Sequence, residues 1–337
     1  MISEVDGSFP NREKNLLRVA YQLTNHSHRD IISTARLLLG KADPKIQSIY
    51  NSRLNNDGSP LQFCISASQH GQSLRILGDP RSDITNTKIR HRYALLALYN
   101  LMKASADASL RRAVETTLEC NLPDDTNGYP ALKAGTLWLG APISDAKGIA
   151  VYLNGRWGTP CQQWERVNHW LDKLIPAHES RVEVLTKLPK YAVIASVGFE
   201  GADDKHLRYK IYFRLTGAVD LRKLGVDLFR SEPFLKFLEL TIADHEISST
   251  GVVFCIGLSA ATGEIIDAKI DLCGHCLAPI IDNWTTLLET LSYQIKLPLS
   301  ETFMLAVHQQ HSDIAFLGCG VKNDGSVRLN LYLKGRE

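Results

Sequence analysis

The sequence has 337 residues, 44% of them apolar and 22% charged, enough for one large core or two modest ones, which excludes a disordered tail protein. Thirty-eight Lys and Arg against 36 Asp and Glu give a net charge of +2 spread along the chain, so there is no basic footprint for a nucleic acid partner. The longest apolar stretches, such as Gly251 to Ala261, run about ten residues against the roughly 20 of a membrane helix, and the first fifteen residues are polar and charged, so a soluble cytoplasmic protein with no membrane partner is expected.

Residues 12 to 40 read as two helices, one with Leu16, Leu17, Val19, Ala20 and Leu23 on its apolar face, the other with Ile31, Ile32, Ala35 and Leu37 to Leu39, closed by Gly40. The pattern then changes to period two: Leu61, Phe63 and Ile65 alternate with Gln62, Cys64 and Ser66, and a His70-Gly71 turn leads to a second run from Ser73 to Leu77. Helical spacing returns between 88 and 120, and a hairpin pairs Gly135 to Ala141 with Gly148 to Asn154. Pro160 opens a helix through Leu174, and a shorter one reaches Lys187. The alternation repeats: strands Tyr191 to Glu200 and His206 to Leu215, helices near 219 to 229 and 232 to 243, strands 250 to 259 and 264 to 272, helices near 282 to 295 and 300 to 310. The last hairpin, Asp313 to Val321 with Ser326 to Lys334, turns at Asn323-Asp324-Gly325.

The order is therefore helix, helix, strand, strand, five times, with repeats near 12–80, 88–155, 160–215, 219–273 and 282–334 forming one domain. Aligning Arg75, Ala150, Lys210, Lys269 and Asn330 at one position of the second strands gives spacings of 75, 60, 59 and 61 residues. These strands carry one polar face, as in Arg208-x-Lys210-x-Tyr212 and Arg328-x-Asn330-x-Tyr332. If helix pairs cover the apolar face, ten antiparallel strands close into a barrel of α+β class whose polar face lines a lumen. Inward positions on the first strands are small (Ser66, Ser196, Gly198, Cys255, Gly257, Ser259, Gly318), leaving room for a ligand.

With Arg or Lys alternating with Tyr on such strands, the sequence resembles the ABBA, or PT-barrel, prenyltransferases, over nearly its whole length. Its size is similar to bacterial members that modify small aromatics and to those of cyanobactin pathways that modify cyclic peptides. The resemblance implies transfer of an allylic group, dimethylallyl in the first instance, from a prenyl diphosphate to an electron-rich aromatic or peptide acceptor. No cofactor is implied as obligatory, and magnesium dependence stays open because members differ. The chemistry asks for cations around the leaving diphosphate and aromatic faces around the allyl cation. Carried over by position, Arg75, Arg208, Lys210, Lys269 and Arg328 would hold diphosphate, Tyr152, Tyr212 and Tyr332 would form the carbocation shield, and Trp157 would reach the acceptor at the barrel mouth.

Three departures stand out. Gln62 occupies the position where many members carry a catalytic Glu, and an amide cannot be that base. Ala150 replaces a cation, and Asp271 replaces an aromatic, which makes Asp271 a candidate base and leaves Gln62 to orient a nucleophile. The competing reading is a non-catalytic barrel that binds a hydrophobic or phosphorylated ligand, or a polar interior filled by ion pairs and water. Cys273-Gly274-His275-Cys276 spells a disulfide-oxidoreductase motif, but hairpins rather than βαβ crossovers surround it, and a zinc site would lack a fourth ligand. Seven scattered cysteines fit a reducing compartment, and most read as small core residues. Trp164 and Trp170 read as helix-packing residues, and His308 and His311 as surface residues.

Overall fold

The computed structural model describes the chain apart from residues 1–8, 25–27, 41–50, 104–107, 144–147, 204–205 and 243–247. Helices α1 (Asn11–Gln22) and α2 (His28–Leu39) precede strands β1 (Leu61–Ser68) and β2 (Gly71–Gly78). Next come α3 (Thr87–Met102) and α4 (Ala108–Asn121), then β3 (Leu137–Pro142) and β4 (Ile149–Asn154). α5 (Pro160–Leu174) and α6 (Glu179–Lys187) lead to β5 (Ala192–Gly201) and β6 (Arg208–Leu215). α7 (Glu232–Ile242) leads to β7 (Val252–Ser259) and β8 (Ile265–Cys273). α8 (Gly274–Leu277), α9 (Trp284–Gln294) and α10 (Glu301–Leu305) precede β9 (Ser312–Lys322) and β10 (Val327–Gly335).

Helix starts follow from local chemistry. Thr159 accepts from the Gln162 amide while the Gln162 side chain returns the bond to the Thr159 N–H, and Pro160, which has no N–H to leave unsatisfied, takes the first position of α5. Asn86, Asn283 and Ser300 cap α3, α9 and α10 in the same sense.

All ten strands pair antiparallel with their neighbours, and β1 closes on β10 with Phe63 opposite Leu333 and Ser66 opposite Asn330. Period two then divides each strand. Phe63, Val151, Phe199, Ile211, Ile256, Ile270, Leu317 and Leu331 point outward and are at most 1% exposed, packed against the apolar stripes of the helices, such as Leu16, Val19, Leu98, Val167, Phe234 and Leu288. Trp164 and Trp170 belong to this layer, donating to the Ala192 carbonyl and the Thr117 hydroxyl respectively. A second, separate cluster of Cys64, Leu77, Trp138, Ala150 and Tyr152 lies inside the barrel. The main core is thus a shell between barrel and helices, and the lumen is left to the site.

The expected helix near 219 to 229 is instead two 3-10 turns, Leu221–Leu224 and Asp227–Arg230, separated by Gly225 at φ 75°. An α-helix cannot run through that left-handed residue. The helix expected over 232 to 243 ends at Ile242, and residue 243 lies outside the described ones. Among the described residues no helix is long and apolar enough to cross a membrane.

Candidate active site

The lumen has three levels. At the hairpin-turn end, a mouth of about 620 Å³ is walled by residues such as Pro142, Asp203, His206, Ser259 and Lys322. Below it, a space of about 100 Å³ is bounded by Arg75, Glu200, Arg208, Lys210, Lys269 and Arg328. At the end where strands join helices lies a chamber of about 140 Å³ walled by Gln62, Trp138, Tyr152, Tyr212, Asp271, Phe316 and Tyr332, among others. Arg208, Lys210 and Tyr212 descend through these levels on one face of β6, as period two dictates.

All five cations expected to hold diphosphate face the middle level, and every one of them meets a carboxylate. Arg75, Arg208 and Lys210 contact Glu200 at 2.8, 2.8 and 3.0 Å. Arg208 and Arg328 face Asp267 at 2.7 and 3.7 Å, and Lys269 faces Asp271 at 2.5 Å. Glu200 and Asp267 were not foreseen from the sequence. Both lie on the inward face that the alternation defines, Glu200 two residues beyond Gly198 and Asp267 two before Lys269. The room promised by small residues is partly taken: a Cβ at Gly257 would stand 2.5 Å from Asp267 Oδ1, and one at Gly318 would collide with Asp271. Gly140 and Ala150, paired across β3 and β4, leave the gap through which Arg75 on β2 reaches Glu200 on β5.

Burial alone would raise the Glu200 carboxyl, but Arg75, Lys210 and Arg208 hold it well below the usual carboxylate range. Burial also opposes ionisation of Asp267, and Arg328 and Arg208 reverse it. Lys210 goes the other way: burial outweighs the pull of Glu200 and brings its ammonium down to about 8. Lys269 is raised, because Asp271 beside it overcomes burial.

The three tyrosines meet around the chamber. Tyr152 packs edge-on against Tyr212 with centroids 5.5 Å apart, and its hydroxyl donates to Glu200. Lys269 Nζ stands 5.2 Å from the ring centroids of both Tyr212 and Tyr332 and donates to the Tyr332 hydroxyl at 2.9 Å. Burial raises all three phenols well above their ordinary value, so they stay protonated donors. Trp138 is fixed by Asp79, which accepts from the indole N–H at 3.0 Å, from Ser52 at 2.6 Å and from Arg90 at 2.7 Å.

Gln62 lines the chamber, its amide nitrogen donating to Asn55 Oδ1 at 2.8 Å. Asp271 lies in the same wall, one oxygen on Lys269 and the other, Oδ1, buried without a hydrogen-bond partner. Trp157 is not brought to the chamber. Its indole donates to the Asn121 carbonyl at 3.0 Å and its ring is covered by Arg166 at 3.5 Å, because the chain has already left the barrel at Asn154 and strand alternation no longer aims the side chain. The Cys273 thiol is pushed by burial up to about 11, and Cys276 is raised as well, which leaves both far from the activated thiolate of a redox motif. Among the described residues no group of three His, Cys, Asp or Glu could hold a metal ion.

No family model and no curated protein matches the sequence. Solved structures do match the fold. A 5-dimethylallyltryptophan synthase from Streptomyces coelicolor superposes with a TM-score of 0.74 at 16% identity, covering 95% of each chain. A 6-dimethylallyltryptophan synthase from Micromonospora olivasterospora, in complex with DMASPP and Trp, gives 0.74 at 14% identity over 97% of this chain and 98% of its own. AnaPT from Neosartorya fischeri gives 0.61 at 13% identity, covering 96% and 91%. The fold is that of the prenyltransferase barrels, and the expected α+β architecture of ten strands with helices outside is borne out.

Proposed function

We propose that the protein is a prenyltransferase that moves an allylic group from a prenyl diphosphate to an aromatic acceptor inside the barrel. The observation that carries this reading is the stacking of a cation level directly on a chamber walled by Tyr152, Tyr212 and Tyr332. The solved structures of this fold that carry dimethylallyl thiolodiphosphate and tryptophan support the donor and acceptor classes.

In this reading the diphosphate enters the middle level and takes over Arg75, Arg208, Lys210, Lys269 and Arg328 from their internal carboxylates. The C–O bond breaks with its electrons going to the leaving diphosphate, where the cations and the phenol hydroxyls stabilise developing charge. The allyl cation is held among the tyrosine rings, whose faces stabilise it without capturing it. An aromatic carbon or heteroatom forms the new bond and then releases a proton. In this reading Asp271, which lines the chamber and whose Oδ1 has no hydrogen-bond partner, accepts it. Gln62 orients the acceptor.

The ion pairs favour a second reading, in which the barrel binds a ligand without chemistry, because all five cations of the middle level already have a carboxylate partner. The deciding experiment incubates the protein with dimethylallyl diphosphate and a panel of tryptophan, tyrosine, indoles and cyclic peptides, read by mass spectrometry. The first reading expects an acceptor heavier by one dimethylallyl group. Stabilisation by the donor with no product from any acceptor supports the second.

A further inference from the structure

Trp138 stands in the chamber wall, opposite Tyr152 across β3 and β4, and is 6% exposed. Its indole N–H is turned to Asp79 Oδ2 at 3.0 Å, so the side chain offers the chamber hydrocarbon and no polar hydrogen. That oxygen is itself held. It accepts from Arg90 on α3 at 2.7 Å and from the Ser52 hydroxyl at 2.6 Å. Arg90 is anchored in turn, donating to the Asn51 and Lys133 carbonyls at 2.8 and 2.9 Å. Ser52 Oγ accepts from the Leu54 N–H at 3.0 Å, and Leu54 lines the same chamber. The backbone is cleared for the contact: Gly135 has φ 116°, and a Cβ there would stand 2.7 Å from Asp79 Oδ2 and 3.2 Å from the indole nitrogen.

Stability does not account for this arrangement. The Asp79 and Arg90 side chains are each 1% exposed, and replacing such a buried pair by apolar side chains of similar volume is often neutral or stabilising. Burial raises the Asp79 carboxyl above its ordinary value even with Arg90, Ser52 and Trp138 beside it, so the fold carries the ionised group at a cost. What the pair supplies is direction. The χ2 torsion of an indole is broad, and a charged acceptor at its N–H selects one setting of the ring. Because Trp138 faces Tyr152, whose ring meets Tyr212 edge-on at 5.5 Å, that setting also shapes the space beside the tyrosines.

We propose that Asp79 is a positioning residue of the chamber: acting through the Trp138 ring, it makes an acceptor lie with one atom, instead of several, against the allyl group. The proposal rests on the transfer reading and adds to it what selects the position alkylated. Arg90, Ser52 and Gly135 belong to the same device, since they aim the carboxylate rather than touch substrate.

The test compares the wild type with Asp79→Leu/Arg90→Met, in which apolar groups replace the ion pair, with Asp79→Asn, which keeps an acceptor oxygen without its charge, and with Trp138→Phe alone and added to the pair replacement. Each protein is labelled with fluorotryptophan and read by fluorine NMR, where Trp138→Phe identifies the Trp138 line. In the wild type that line is expected to be single and sharp. In Asp79→Leu/Arg90→Met, and in smaller measure in Asp79→Asn, it splits or broadens while the Trp164 and Trp170 lines of the outer core stay in place. With an acceptor from the panel, kcat/KM for the acceptor falls roughly 10- to 100-fold and a second alkylated position appears, while the KM for the donor is unchanged. Adding the pair replacement to Trp138→Phe changes neither result further, because the route through the indole is already gone. The proposal is overturned if the folded Asp79 variants keep the wild-type product pattern and acceptor kcat/KM, or if the Trp138 line stays single. It is also overturned if the Trp164 and Trp170 lines move equally, which marks a merely structural role, or if the pair replacement keeps its full effect on top of Trp138→Phe. A wild type that prenylates no acceptor overturns the transfer reading and the proposal with it, whereas a wild type that turns over with the Asp79 variants matching it overturns the proposal alone.

Discussion

Replacing Glu200 with glutamine removes one negative charge from the centre of the cation level and keeps the side-chain shape. Arg75 and Lys210 then lose their only carboxylate contact among the described residues, at 2.8 and 3.0 Å, while Arg208 retains Asp267. Breaking a buried pair by removing one partner costs about 3–5 kcal/mol. With an unfolding entropy near 2.1 cal/mol/K per residue, a 337-residue chain loses roughly 4–7 °C of melting temperature for that cost. The positive charge that Glu200 no longer matches attracts an anion, so inorganic pyrophosphate is expected to bind Glu200→Gln about 10 to 100 times more tightly than the wild type. At a hundredfold excess over its dissociation constant a ligand adds about 2.7 kcal/mol, enough to return much of the lost stability. The assay is thermal unfolding of both proteins across a pyrophosphate titration. An unchanged melting temperature with unchanged pyrophosphate affinity would refute the claim that Glu200 stands where an anionic donor must go. So would weaker pyrophosphate binding in the variant, since Glu200 would then organise the cations rather than compete with the ligand.

Three further outcomes follow from the same geometry. The carboxyls of Glu200 and Asp267 are held below their ordinary values, so the stability they contribute is complete above about 4.5 and falls as the pH drops below it; Glu200→Gln should flatten that limb of an acid unfolding curve. Lys210 sits at about 8, so the free protein loses its charge as pH rises through 8; pyrophosphate should draw in a proton there, seen by calorimetry in buffers of different ionisation enthalpy, and Lys210→Ala should bind less tightly and lack that uptake. Asp271→Asn should lower turnover by roughly 100 to 10,000-fold with donor affinity little changed, and full turnover in the variant would leave diphosphate or water as the proton acceptor.

Much of the barrel could be read from the chain because period two and the 60-residue spacing both act locally. Once Lys210 is inward, Arg208 and Tyr212 must be inward too, and the closed register repeats that logic at Lys269 and Asn330. The same alternation includes Glu200 and Asp267, so they were legible in principle. The expectation of an open lumen rested on the small residues beside them and took no account of the carboxylates that fill those gaps. Trp157 was out of reach for another reason: it lies outside a strand, where direction depends on how loops pack at the barrel end. Asp79 likewise gives no local sign that it holds both Arg90 and Trp138, since that network joins a strand end, a loop and a helix far apart in sequence.

The most direct test of the account is a crystal structure with dimethylallyl thiolodiphosphate, a donor analogue. The account predicts the diphosphate among Arg75, Arg208, Lys210, Lys269 and Arg328, the Glu200 side chain displaced from Arg75 and Lys210, and the five-carbon tail against Tyr152, Tyr212 and Tyr332. A diphosphate seated elsewhere in the barrel, with the Glu200 ion pairs intact, would contradict it.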